Sequence, residues 1–552
     1  TADRDSSRPI VVRLNETPCE LRFVKGAFEG MYYRKAGMHE IQLDPDTGAV
    51  QKLEVRAIGD LVYATFGTNP HIRETGAYSW EFLKRHCLVH YNGIIGSATL
   101  APNGSLAQET EIREWTAQGK RWFTLESLPF DVTTDEECYQ RWVNSLGMQH
   151  PLMSGIWVDE FGVGEKFGKK TAEMYPIWTE ALKRLQANPA VKDRMYYSYI
   201  AATRLLPVES YAQMAPFLET MMEGGYAFAP ECYLPESRSR PGRILIHTGD
   251  LIQEFSPAWE NASRQSFEHF VSGAASNRVI TMFTCSEIGW ETADIYPEYD
   301  FNVFLDAQFQ FVATDPAYFG VRGIQSYNSG YTGEEQLRLF AWLLRHYAIE
   351  GNTKRLLPQP YVLPHLKNPD FTLGLAEWKI TPSNQETADV SIEGRKVPGL
   401  GKLEARYHAL PETGDSALWM RRGAERPNIV AQTVKSLTPG SLYSLRFITG
   451  NAREFQEGVS SRKKHAVSYR LDGVEVLPEK SFQAIVESGY WYAVGKFNAQ
   501  NPYYLNYHQV VFRAQGETAE LQLSDWMSSD EPGGPAGEEH IWNFIQIQPY
   551  IE

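Results

Sequence analysis

Four short apolar runs in this sequence end in carboxylates: Leu125-Glu126, Val158-Asp159-Glu160, Ala229-Pro230-Glu231 and Cys285-Ser286-Glu287. An ionised carboxylate is costly to bury without a use. Gathered in one cleft, such groups act as general acid, general base or nucleophile. In the run from Gly155, strand alternation puts Ile156 and Val158 on one face and Trp157 and Asp159 on the other, with Glu160 just past the end. Thr281, Phe283, Cys285 and Glu287 share a face in the same way, and Ile288-Gly289-Trp290 follows. His90, Asn92, Tyr199, Tyr233, Tyr327 and Asn328 stand at or beside the ends of similar runs. Singly, each of these has a structural reading as a salt bridge or a packing residue. Together with Glu126, Glu231 and Trp290 they supply the polar, aromatic lining of a substrate cleft.

The elements that must carry these residues alternate between residues 58 and 350. Candidate strands are Leu61–Phe66, Leu88–Ile95, Arg121–Glu126, Gly155–Glu160, Met195–Ile200, Tyr226–Glu231, Val279–Glu287 and Tyr318–Tyr327. One-sided helices separate them; Ala172–Ala187, for example, has Tyr175, Trp178, Leu182 and Leu185 at helical spacing. The eight strand–helix pairs predict an α/β fold, a (β/α)8 TIM barrel with its working face at the C-terminal strand ends. The inner face of the fourth strand then holds Trp157 and Asp159. The long connection Tyr233–Asn261 leaves that same face and suits a cleft wall.

Residues 1–57 read as a β-rich extension packed on the barrel, with a hairpin turn at Asp44-Pro45-Asp46-Thr47-Gly48. The barrel occupies 58–355, a Pro-rich linker 356–367, and an all-β sandwich 368–552. The sandwich is similar to the galactose-binding-like jelly rolls found among carbohydrate-binding modules. The motifs are Asn368-Pro369-Asp370-Phe371, Leu437-Thr438-Pro439-Gly440, Leu523-Ser524-Asp525-Trp526 and the closing strand Trp542–Ile547.

A net charge of -15 argues against a phosphate backbone or an anionic membrane surface as partner. No apolar run approaches the ~20 residues of a membrane helix. The five cysteines have no C-x-x-C spacing and the 13 histidines are scattered, so neither a disulfide framework nor a zinc site is expected. There is no nucleophile elbow, Walker A loop or dinucleotide fingerprint, and no cofactor is expected. The polar start at Thr1 leads to the expectation of a secreted or periplasmic protein whose leader has been removed.

The placement of carboxylates at strands four and seven resembles clan A of the glycoside hydrolases. The resemblance implies that Glu160 is the acid/base and Glu287 the nucleophile of a retaining enzyme, with a carbohydrate substrate. The sequence departs from it at Asp159, where clan A usually has Asn. The adjacent pair Asp159-Glu160 also resembles hexosaminidases that use the substrate's own acetamido group. In that case Asp159 orients the acetamide, Glu160 is the acid and Glu287 only binds. A divalent metal on Asp159, Glu231 and Glu287, serving a lyase or isomerase, is a third reading. A barrel that only binds carbohydrate is a fourth.

Overall fold

The computed structural model describes residues 11–552 apart from 20, 25, 35–36, 44–50, 67–77, 97–99, 101–104, 167, 202–207, 232–235, 237–267, 284–291, 328–331, 358–359, 385–389, 407–410 and 490–492. The N-terminal extension forms β1 (Val12–Leu14), β2 (Thr17–Cys19), β3 (Arg22–Val24), β4 (Ala27–Glu29) and β5 (Ile41–Leu43), paired as a β2-β1-β5 sheet and a β3-β4 hairpin.

The barrel strands are β6 (Asp60–Phe66), β7 (Gly93–Gly96), β8 (Arg121–Glu126), β9 (Gly155–Phe161), β12 (Met195–Ile200), β13 (Ala227–Pro230), β14 (Val279–Phe283) and β15 (Gly323–Tyr327). A small hairpin, β10 (Glu165–Lys166) and β11 (Lys169–Lys170), follows β9. Barrel strands adjacent in sequence pair in parallel, and β15 pairs back onto β6. The remaining seam, β13 to β14, closes through a parallel bridge between Phe228 and Arg278. This is the expected (β/α)8 barrel. Glycine is required where strands start close together: a Cβ on Gly155, at φ +143°, would sit 1.9 Å from the Met195 carbonyl oxygen.

The second strand is shorter than its apolar run suggests. Leu88–His90 make a 3-10 turn and pairing begins only at Gly93. Asn92 precedes the strand, accepting from the Leu61 N–H at 2.8 Å and donating to the Gly59 carbonyl at 2.9 Å. His90 and Asn92 therefore lie at the N-terminal end of the barrel, which corrects their expected place on the C-terminal rim. Helix and turn geometry carries the chain down to Gly93, leaving only four residues to cross the sheet.

A charged cluster fills the N-terminal end of the lumen. The buried Asp60 carboxylate accepts from Arg121, from the Tyr197 hydroxyl at 2.7 Å and from Arg322 at 3.0 Å. Burial alone would raise the Asp60 pKa, but the guanidinium charges of Arg121 and Arg322 outweigh it and hold the carboxyl below its usual range. Tyr33 of the N-terminal extension lies 4.4 Å from the Arg121 guanidinium, capping this end. Asp60→Ala leaves two guanidinium groups without their buried counter-charge, and should lower unfolding free energy by roughly 3–5 kcal/mol in urea titration.

The C-terminal domain is a sandwich of a four-stranded and a six-stranded antiparallel sheet. The smaller contains β16 (Lys379–Thr381), β19 (Ile429–Val434), β21 (Ser468–Asp472) and β24 (Ala519–Ser524). The larger contains β17 (Ile392–Lys396), β18 (Ser416–Arg421), β20 (Leu442–Asn451), β22 (Val474–Ser488), β23 (Tyr503–Ala514) and β25 (Glu539–Pro549). The six-stranded sheet is apolar on both faces. Along β18, Leu418 and Met420 enter the core between the sheets, whereas Ala417 and Trp419 enter a second core behind.

The Pro-rich segment before the sandwich is docked rather than free. Tyr361 stacks on Tyr299 at 4.5 Å and is 1% exposed, and Val362 bridges Tyr299. Beside it, the helix Phe301–Thr314 begins at Asp300, whose buried carboxylate caps the Asn302 and Val303 N–H groups at 2.9 and 3.3 Å. Burial pushes the Asp300 carboxyl up to about 7. That is above the unfolded value of ~3.9, so the folded chain keeps a proton that the unfolded chain has lost. This group's stabilisation is complete below that unfolded value and is lost as pH rises through about 7. Asparagine caps equally well and has no such proton. The stability of Asp300→Asn relative to the parent should therefore rise by up to about 1.4 kcal/mol per pH unit between pH ~4.5 and ~7, then level off, as read by urea unfolding. Among the described residues no helix is long and apolar enough to cross a membrane.

Candidate functional site

Alternation along each strand decides what enters the lumen. Val62, Ala64, Ile95, Phe123, Trp157, Tyr197, Ala227, Ala229 and Val279 pack there together, while Ile156 and Val158 join the outer core beneath the helices. Trp157 is fully buried, stacks flat on Tyr197 at 4.3 Å and meets Tyr199 at 5.0 Å. It floors the C-terminal half of the lumen.

Above that floor the lining turns polar. Tyr199 accepts a hydrogen bond from Gln325 and meets Tyr327 edge-on at 6.2 Å. Burial raises the Tyr199 phenol well above its usual value, and the charges of Tyr327, Asp159 and Glu231 push it further the same way. Tyr199 therefore keeps its proton, and Asp159 and Glu231 both lie within electrostatic reach of it. The fourth, fifth, sixth and eighth strands thus bring Asp159, Tyr199, Glu231, Gln325 and Tyr327 to one mouth. Gln325, fully buried, was not among the expected site residues. Its signal was the polar side chain alternating with Gly323 on the inner face of β15.

Glu160 sits on a β-bulge. β9 and β12 pair in register up to Val158–Ser198, and the next pairing is Phe161–Ile200. The extra residue returns Phe161 to the outer core and leaves Glu160 exposed at φ +72°, in the left-handed region that side chains rarely adopt. The Glu160 N–H donates to Asp159 Oδ1 at 2.9 Å, which helps hold the turn. Backbone strain of this kind gathers at functional sites.

Glu126 shares a strand face with Trp122 and Thr124, and accepts from the Thr124 hydroxyl at 2.8 Å. Burial raises its pKa. Trp122 belongs to the core under the helices, so Glu126 has outward parity, and it is Leu125 that has lumen parity at this strand end. His90 and Asn92 stand at the opposite end of the barrel. Tyr233, Glu287, Trp290 and Asn328 lie outside the described residues, as do Cys232 and Cys285. Among the described residues no group of three or more His, Cys, Asp or Glu has the geometry to hold a metal ion.

No family model and no curated protein matches the chain. Solved structures with some likeness include the Ostrinia furnacalis Group IV chitinase in complex with allosamidin, at 11% identity and TM-score 0.36, covering 53% of this chain and 100% of that one. A chitinase from Bacillus thuringiensis has 9% identity and TM-score 0.35, covering 88% and 100%. TmCBM61 in complex with β-1,4-galactotriose has 12% identity and TM-score 0.18, covering 34% and 97%. Likeness this distant transfers no activity to the chain.

The left-handed conformation at Glu160 predicts an inversion of the usual preference for alanine over glycine. Glu160→Gly should be more stable than Glu160→Ala by about 1 kcal/mol in urea unfolding, because only glycine adopts this φ without a Cβ clash.

Proposed function

We propose that the chain is a glycoside hydrolase acting on a poly- or oligosaccharide, with its chemistry at the mouth holding Asp159, Glu160, Tyr199 and Glu231. The observation that carries this reading is the convergence of Asp159 and Glu231 on the protonated Tyr199, above an aromatic floor and beside the bulged Glu160. A sugar ring needs carboxylates for the anomeric centre and its leaving oxygen, hydroxyl and amide groups for its hydroxyls, and an apolar ring face to pack against. In this reading Glu160 protonates the leaving oxygen, and Tyr199, Gln325 and Tyr327 bind hydroxyls.

The second carboxylate divides two mechanisms. Glu287 as nucleophile gives a retaining double displacement. The adjacency of Asp159 and Glu160 supports the other, an acetamido-assisted reaction on an N-acetylhexosamine, in which Asp159, its carboxylate oriented by the Glu160 N–H, would hold the acetamide. A polymeric substrate of this kind also fits a secreted or periplasmic location.

Activity of the parent and of Glu160→Gln, Asp159→Asn, Glu231→Gln and Glu287→Gln on a polysaccharide and aryl-glycoside array decides between them. Glu160→Gln should lose on the order of 10²–10⁴ in kcat. Azide rescue of Glu287→Gln as an inverted glycosyl azide establishes double displacement. Loss in Asp159→Asn with Glu287→Gln active, confined to N-acetylated substrates, establishes the acetamido route. A parent that cleaves no glycan, with or without divalent metal, overturns the proposal.

A further inference from the structure

Described residues from the connections after the sixth and seventh barrel strands bond one another, and those of the second also bond the sandwich. The first follows Glu231. Five positions on, Glu236 is fully buried; its N–H donates to the Ala293 carbonyl at 2.9 Å, and its carboxyl accepts from the Ile295 N–H at 2.9 Å, the Tyr296 N–H at 3.1 Å and the Tyr361 hydroxyl at 3.2 Å. The second follows β14, which ends at Phe283. From Thr292 this connection is fastened to the sandwich itself. The Thr292 N–H donates to the Ala405 carbonyl at 3.2 Å, and Arg406 donates to the Ile295 carbonyl at 3.3 Å. Asp294 accepts from Arg446 at 2.6 Å and from Gln546 at 3.4 Å, and Gln546 also donates to the Tyr299 carbonyl at 2.9 Å.

The sandwich side of these contacts is strand-paired and buried. Arg446 is on β20 and Gln546 on β25, paired neighbours in the middle of the six-stranded sheet. Arg406 is clamped by both oxygens of Asp370 at 2.8 and 3.1 Å and by Glu404 at 2.8 Å. Asp294, Arg406, Arg446 and Gln546 are all nearly inaccessible to solvent. A module that only delivered the barrel to a polymer would need none of this. A flexible tether would serve, and the loops beside the mouth would be fixed by the barrel alone.

We propose that the sandwich is a positioning element of the active site, with Arg446, Arg406 and Gln546 holding residues 294–299 and, through the bonds of Ile295 and Tyr296 to Glu236, the connection that begins at the carboxylate of Glu231. The proposal rests on the glycosidase reading for its kinetic consequence, although not for its structural one. Displacing a catalytic carboxylate by about 1 Å costs on the order of a hundredfold in rate, so loosening these connections acts on kcat.

The test uses the full chain with Arg446→Met, Arg446→Lys and Asp294→Asn. Asp294→Asn preserves shape and guards against a failure of Arg446→Met to fold. On a small soluble aryl glycoside, Arg446→Met and Asp294→Asn should lower kcat at least about tenfold with KM within about threefold, and Arg446→Lys should recover part of the loss. Amide exchange at Ile295 and Tyr296, whose N–H groups bond Glu236, should quicken at least about tenfold in the same variants. Unchanged kcat on the soluble substrate, with weaker hydrolysis of insoluble polymer alone, makes the sandwich a targeting module and overturns the proposal. If the parent cleaves no glycan, the glycosidase reading fails and the exchange result stands by itself: faster exchange supports the positioning role and unchanged exchange overturns it.

Discussion

The ion cluster on Asp60 is the constraint on which the barrel depends. One carboxylate at the start of the first strand binds Arg121 at the start of the third, Tyr197 on the fifth and Arg322 just before the eighth. A buried charge is tolerable only when paired and hydrogen-bonded, so the strands that supply its partners are held in one relative arrangement. An eight-stranded lumen is just wide enough to be filled by side chains. Here the filling changes along the axis, from the charged layer of Asp60 and Arg121, through the aromatic layer of Phe123, Trp157 and Tyr197, to the polar mouth of Asp159, Tyr199, Gln325 and Glu231. The mouth is built on a plug.

The two ends serve opposite needs. At the N-terminal end Asp60 is saturated by partners and its acidity is strengthened. At the C-terminal end the chain departs from regular geometry, with a bulge and a left-handed Glu160. Local strain of this sort persists only where surrounding packing over-determines it. Phe161, fully buried in the outer core immediately after the bulge, provides that packing.

The junction with the sandwich is unusual in its chemistry. Glu236, Asp294, Glu298 and Asp300 are gathered in or beside it, and burial raises the pKa of each. An interface made to separate would expose such groups to water. This one removes them from water and sets backbone N–H groups and sandwich arginines against them.

Much of this was legible in the sequence, because alternation and helical spacing are local properties. The inner placement of Trp157 and Asp159, the outer placement of Ile156 and Val158, the barrel and the sandwich all follow from periodicities of two and 3.6 residues. What was not legible depends on residues far apart in the chain. Apolar periodicity extends Leu88–Ile95 through His90 and Asn92, yet the Asn92 side chain is taken by Gly59 and Leu61 at the N-terminal end, and pairing waits until Gly93. The bulge at Asp159-Glu160 arises from register with β12. Gln325 reaches Tyr199 across 126 positions, and Arg446 reaches Asp294 across 152. The sequence by itself determined which faces are apolar, since that is set by neighbours a few residues away. Only the tertiary structure decided which end of the barrel each polar residue occupies and what the sandwich holds, because strand length, register and buried charge pairing are settled by distant partners.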